Sequence, residues 1–269
     1  GSDFSQKPIR YTVATRVGKP YFSWREEPEG VHYEGNERFE GYAVDLIYML
    51  AQECKFDFNF EPVRDNKYGS YDANTDEWDG IIRQLIDNNA QIGICDLTIT
   101  QARRSVVDFT VPFMQLGISI LSYKGTDIGS LHDLVDQNKV QFGTIRGGAT
   151  SVYFSESNDT DNRMAWNKML SFKPDAFTKN NEEGVDRVKL SKGTYAFLME
   201  TTNLQYYVQR NCELTQIGES FGEKHYGIAV PLNADFRSNL SVGILRLSER
   251  GELFKLRNKW FNSNESTCD

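Results

Sequence analysis

The chain is short of cysteine, histidine, positive charge and long apolar runs, and each shortage excludes something. Its four cysteines, Cys54, Cys95, Cys212 and Cys268, show no CxxC spacing, and only three histidines accompany them. Protein zinc sites need such ligands at short, paired spacings, so no metal site is expected. Lys and Arg number 30 against 38 Asp and Glu, a formal net charge of -8, and no basic cluster stands out. Nucleic acids and anionic membrane surfaces attract clustered positive charge, so neither is an expected partner. The longest apolar run, around Phe113 to Leu121, falls far short of the ~20 residues that cross a bilayer. With no signal peptide either, the chain reads as soluble, and Gly1-Ser2 reads as an expression scar on an excised fragment. His32, His132 and His225 have no partners at telling spacing, and neither a nucleophile elbow nor a P-loop appears. An enzyme on an α/β scaffold therefore has little support, and no cofactor is expected.

What is present is an alternation of strands and helices. Apolar periodicity predicts strands at Tyr11 to Thr15, Phe56 to Pro62 and Ile92 to Leu97, with helices at Val44 to Glu53 and Gly80 to Asp87 between them. Asp79 is placed to cap the second helix. The rhythm resumes with strands at Leu116 to Ser122, Val140 to Thr144 and Tyr195 to Met199, and with helices at Leu131 to Val135 and after Thr150, Asp161 and Asn181. A strand near Tyr226 to Val230 and two helices divided by Gly251 close the chain. Two α/β units are implied, with a ligand held between them by strand ends from both.

The segment CDLTITQARRSVVDFTVPFMQLGISIL, from Cys95, carries the best candidate site. A strand end there meets a helix start, where unpaired N–H groups carry partial positive charge, and Arg103 adds a planar fork suited to a carboxylate. RGGATSVYF, from Arg146, sets two glycines before a helix opening at Ala149 and Thr150, a second anion cradle. YAFLMET ends a strand at Glu200, where an acid pairs with an ammonium, and FEGYAVDL places Tyr42 as an aromatic cover. Each alone has a plainer reading: a solvated arginine, a glycine turn with a Thr cap, a first-turn acid, a core tyrosine. Cys54 and Cys95 lie in apolar segments and read as buried thiols, whereas Cys212 and Cys268 flank polar sequence where a bridge pins the C-terminal tail. Sequons at Asn158, Asn239 and Asn264 agree with an extracellular surface.

These segments, with NERFEGYAVDL from Asn36, NNEEGVDRV from Asn180, QRNCELTQIG from Gln209 and the terminal LRNKWF, together resemble the ligand-binding domain of ionotropic glutamate receptors of the kainate type, in an invertebrate (insect) form. The resemblance covers nearly the whole chain. It implies a two-lobed α/β clamshell of the periplasmic-binding-protein-like type II, with two chain crossovers at the hinge. Lobe 1 would comprise residues 3–116 and 226–269, and lobe 2 residues 117–225. Gly125-Thr126 resembles an artificial linker replacing the pore helices, through which alone the receptor meets the membrane.

By the same resemblance L-glutamate is the ligand. Arg103 would grip its α-carboxylate with the N–H groups of Thr98 and Ala149. Glu200 would take the ammonium with the Asp96 carbonyl and Thr98 hydroxyl, Thr150 the side-chain carboxylate, and Tyr42 and Tyr226 would line the pocket. Cys212 with Cys268 matches the family's disulfide. Lobe closure would drive a cation channel in the postsynaptic plasma membrane, assembled as a tetramer of homologous subunits with dimers of these domains. The sequence departs from the family at Asp96, which replaces a proline beside the ligand ammonium, and at Gly18, which replaces a lobe-locking glutamate. Arg104, Val111 and Ser238 replace residues of interface ion sites, which are not carried over. A free-standing amino-acid-binding protein serving a transporter shares the fold and is the alternative reading.

Overall fold

The computed structural model describes residues 7–261 and Cys268. The described residues form two compact units, one of residues up to Gln115 with His225–Trp260, the other of Leu116–Lys224 with Phe261 and Cys268. The last described residue, Cys268, groups with the second unit, as does Phe261. The Cys212–Cys268 disulfide, with Cα atoms 5.2 Å apart, ties it there.

The first unit is built on a five-stranded sheet ordered Asp57–Pro62, Arg10–Thr15, Ile92–Gly93, Ala229–Pro231 and Val107–Phe109. The first three strands run parallel, with Arg10 opposite Asp57 and Val13 opposite Ile92. Parallel strands need helical crossovers, supplied by the helices Tyr42–Cys54 and Gly80–Ile86. Leu46, Ile47 and Leu50 of one and Ile81, Ile82 and Leu85 of the other are buried, as 3.6-residue periodicity requires. The strand expected to reach Leu97 ends its ladder at Gly93 and bends at Cys95 and Asp96, rejoining the sheet region through an isolated bridge between Thr98 and Tyr226. Asp79 is the N-cap residue of its helix, but its carboxylate accepts from the Ser70 amide instead (2.8 Å).

The second unit holds a four-stranded sheet ordered Gln141–Gly143, Tyr195–Glu200, Met114–Tyr123 and Leu214–Tyr226. Helices cover both faces, and the side-chain period of two sorts its residues between two cores. Ile118, Ile120 and Leu198 pack with Phe142, Phe154 and Met169 on one side. Leu121, Phe197 and Met199 pack with Val185, Val188 and Leu204 on the other. The strand expected near Tyr226 to Val230 is present as Ala229–Pro231, preceded by the long strand Leu214–Tyr226, which, like the strand Val107–Phe109, was not expected. Cys95 is a buried thiol as expected, whereas Cys54 is only half-buried. The sequon asparagines Asn158 and Asn239 are exposed, and Asn264 lies outside the described residues.

Candidate functional site

Arg103 sits in the short helix Gln101–Arg104, capped by the Thr100 hydroxyl, which accepts from the Arg103 amide at 3.1 Å. Its guanidinium is half-buried and aimed by backbone. Nε and Nη2 donate to the Gly69 carbonyl at 3.2 and 3.1 Å, and Nη1 donates to the Thr98 carbonyl at 2.7 Å. Three of five N–H donors are thus used, leaving one on each terminal nitrogen as a parallel pair. Among the described residues no carboxylate lies within ion-pair distance of Arg103. Burial pulls its pKa below the ordinary arginine value, which raises the gain from an anionic partner.

Thr98 adds a donor for the same reason that the strand bends. Leu97 accepts from the Gly227 amide and the Ile99 amide donates to His225, so Thr98 and Tyr226 face each other as a pair that exchanges no ladder bond. The Thr98 amide accordingly has no acceptor among the described residues. Behind it the rings of Tyr226 and Tyr42 each stand 6.0 Å from Tyr21, and Tyr42 packs 5.9 Å from Phe113. Tyr42 opens its helix and is buried in the first unit, which holds its phenol well above the ordinary pKa and so neutral. Asp96, expected beside a ligand ammonium, has Oδ2 engaged by the Tyr68 hydroxyl at 2.7 Å.

The second unit gathers the remaining candidates. The helix Ala149–Ser155 begins after Gly147, whose φ of +69° suits glycine, and its cap residue Gly148 offers no side chain. The first-turn amides of Ala149, Thr150 and Ser151 have no backbone acceptors among the described residues, as at any helix start. Thr150 is 8% exposed and Ala149 is exposed beside it. Glu200 ends the strand Tyr195–Glu200 and is mostly buried, where Lys224 meets it, Nζ to Oε1 at 3.3 Å.

The sequence predictions thus fall into two sets, with Tyr42, Asp96, Thr98, Arg103 and Tyr226 in the first unit and Ala149, Thr150 and Glu200 in the second. Four participants were not anticipated: Arg16, Tyr68, Gly69 and Lys224. The first three lie in loop-like sequence without periodicity, and Lys224 is one basic residue in a polar strand. Only Gly69 carries a local signal, since its φ of +144° and the Ile82 side chain against it exclude other residues.

Each unit thus carries features suited to a small charged molecule: the first a guanidinium with no carboxylate at ion-pair distance among the described residues, the second a helix start and a mostly buried acid. A family model for the ligated ion channel L-glutamate- and glycine-binding site matches residues 9–126. Glutamate receptor ionotropic, kainate 1, from Homo sapiens and from Macaca fascicularis, is 27% identical over 372 residues in each case, covering 94% of this chain. The chain spans 40% of the length of those relatives. A solved structure described as Drosophila muscle GluRIIB complex with glutamate is 98% identical, with a TM-score of 0.85, covering 95% of this chain and 100% of that one. The chain belongs to the ionotropic glutamate receptor ligand-binding domain family, in an invertebrate form.

Proposed function

We propose that this domain binds L-glutamate, Arg103 being the residue on which binding turns. Its parallel N–H pair and the Thr98 amide match the α-carboxylate, since a bidentate charge-assisted contact is both strong and directional. The helix start at Ala149 and Thr150 takes the side-chain carboxylate, and Glu200 takes the ammonium. Tyr42 and Tyr226 supply apolar walls. The observation that carries the reading is a half-buried guanidinium with two directed donors and no described carboxylate beside it.

In a full receptor the same binding would favour the arrangement of the two units in which both sets of groups reach one ligand, and that preference would be the work that opens a cation channel. Three features support a junction at Gly125-Thr126. The family match ends at Thr126. The alignment to the kainate relatives spans 372 positions for 94% of a 269-residue chain, so those relatives carry a long segment without a counterpart here. Gly125 turns with φ +87° at an exposed site, where an inserted pair strains nothing. The reading makes the domain a sensor on the extracellular side of a postsynaptic membrane, with homologous subunits as partners and no enzymatic step. Among the described residues no helix is long and apolar enough to cross a membrane.

The test compares ligands that each lack one charge. L-glutamate should raise the melting temperature and give saturable heat, whereas glutarate, without the ammonium, and γ-aminobutyrate, without the α-carboxylate, should do neither at the same concentration. Equal stabilisation by glutarate would remove Glu200 from the site.

A further inference from the structure

Arg16 follows the strand Arg10–Thr15 and reaches into the loop that carries Gly69. It donates from Nε to the Asn66 carbonyl at 3.0 Å and from Nη1 to the Tyr68 hydroxyl at 2.7 Å, with its guanidinium stacked 4.4 Å over the Tyr68 ring. Tyr68 in turn donates its hydroxyl hydrogen bond to Asp96 Oδ2 at 2.7 Å. The backbone continues the connection. Tyr68 precedes Gly69, whose carbonyl holds two N–H groups of Arg103, and Asp96 lies two residues before Thr98, whose carbonyl holds a third. One side-chain bond, Tyr68 to Asp96, therefore ties together the two backbone segments that aim Arg103. The same geometry explains a glycine. A Cβ at position 18 would lie 2.7 Å from Arg16 Nη1, so the guanidinium fills the space that any side chain there would need.

We infer that Arg16, Tyr68 and Asp96 form a positioning relay that sets the direction of Arg103, and that glycine at position 18 leaves the room the relay requires. The inference rests on Arg103 being the carboxylate-binding group. Asp96 is then first a structural acceptor and not a direct partner of the ligand ammonium, and its negative charge is offset across Tyr68 by Arg16. None of the three touches Arg103 by side chain, so they are positioning residues. The relay is charged and partly buried, which makes each of its bonds matter more than a solvent-exposed one.

The test is calorimetric titration with L-glutamate, paired with thermal unfolding and the 15N resonance of Arg103 Nε, on the whole chain. Tyr68→Phe and Gly18→Ala should each weaken glutamate binding by about tenfold or more, the range for losing a hydrogen bond to a charged group. The melting temperature should stay close to that of the unmodified chain, since the atom displaced by Gly18→Ala is the far end of a flexible side chain. The double variant should be no weaker than Tyr68→Phe alone, because both changes break one path. Arg16→Lys should recover part of the affinity that Arg16→Ala loses. Fully additive losses, or affinities equal to that of the unmodified chain, would overturn the relay. The Nε resonance reads the relay without ligand: it should move in Tyr68→Phe and Gly18→Ala, and an unmoved signal also overturns it. If the unmodified chain bound no glutamate while the resonance moved, the ligand assignment would fail and the relay would stand.

Discussion

Lys224→Met separates the two charges that meet at Glu200. The side chains retain only 10% and 16% of their exposure, and Nζ stands 3.3 Å from Oε1. At an effective dielectric constant near 20 that separation corresponds to about 5 kcal/mol of gross attraction, most of it spent on desolvating the two ions. Breaking a fully buried pair from one side costs roughly 3–5 kcal/mol, and residual exposure here brings the expected loss to about 2–3 kcal/mol. Methionine keeps the apolar stem, so packing changes little. Differential scanning calorimetry without ligand should show a melting temperature lower by roughly 5–10 °C. On the proposed reading glutamate would bring its own ammonium to Glu200 and should restore most of that loss, so its affinity should rise, by up to roughly 30-fold. Lys224 is thus expected to compete with the ligand for one carboxylate. A variant that melts lower yet binds glutamate no more tightly would refute the competition, and an unchanged melting temperature would refute the pairing itself.

Three further outcomes follow from packing and charge. Gly184→Ala places a methyl group 2.4 Å from the ring carbons of Phe197; the overpacking cost of roughly 1–3 kcal/mol should exceed the ~1 kcal/mol gain in helix propensity, lowering the denaturation midpoint. Replacing Cys212 and Cys268 with serine opens a loop spanning 56 residues, which chain entropy values at about 4 kcal/mol as an upper figure, to be read by chemical denaturation. Asp161 raises the pKa of His132 above its usual value through a 3.1 Å contact, so the pair stabilises the fold fully below the unfolded histidine value and loses that contribution as pH rises through the folded one; an NMR titration should show the His132 midpoint falling in Asp161→Asn.

Periodicity made the helices Tyr42–Cys54 and Gly80–Ile86 and the parallel strands legible, because long apolar faces are local properties of sequence. The bend at Cys95 and Asp96 was not legible, since it depends on Thr98 pairing with Tyr226, a residue distant in the chain. Polar strands fail for a related reason: Leu214–Tyr226 is long but mostly unburied, so alternation is weak. Among the candidate residues, Arg103, Thr150 and Glu200 stood out by residue type beside a strand end or helix start. Tyr68, Gly69 and Arg16 act through backbone carbonyls and a hydroxyl across loops, and no spacing rule links residues 16, 68 and 96. Lys224 was hidden because an ion pair is a property of the fold, with Glu200 24 residues away in sequence.

The central claim is that Arg103 holds the ligand's carboxylate, and titration calorimetry of Arg103→Ala with L-glutamate tests it most directly. Two charge-assisted hydrogen bonds at roughly 1.5–3 kcal/mol each predict a loss of at least two orders of magnitude in affinity, with the far-UV circular dichroism spectrum unchanged. Glutamate binding within a few-fold of the unmodified chain would contradict the account.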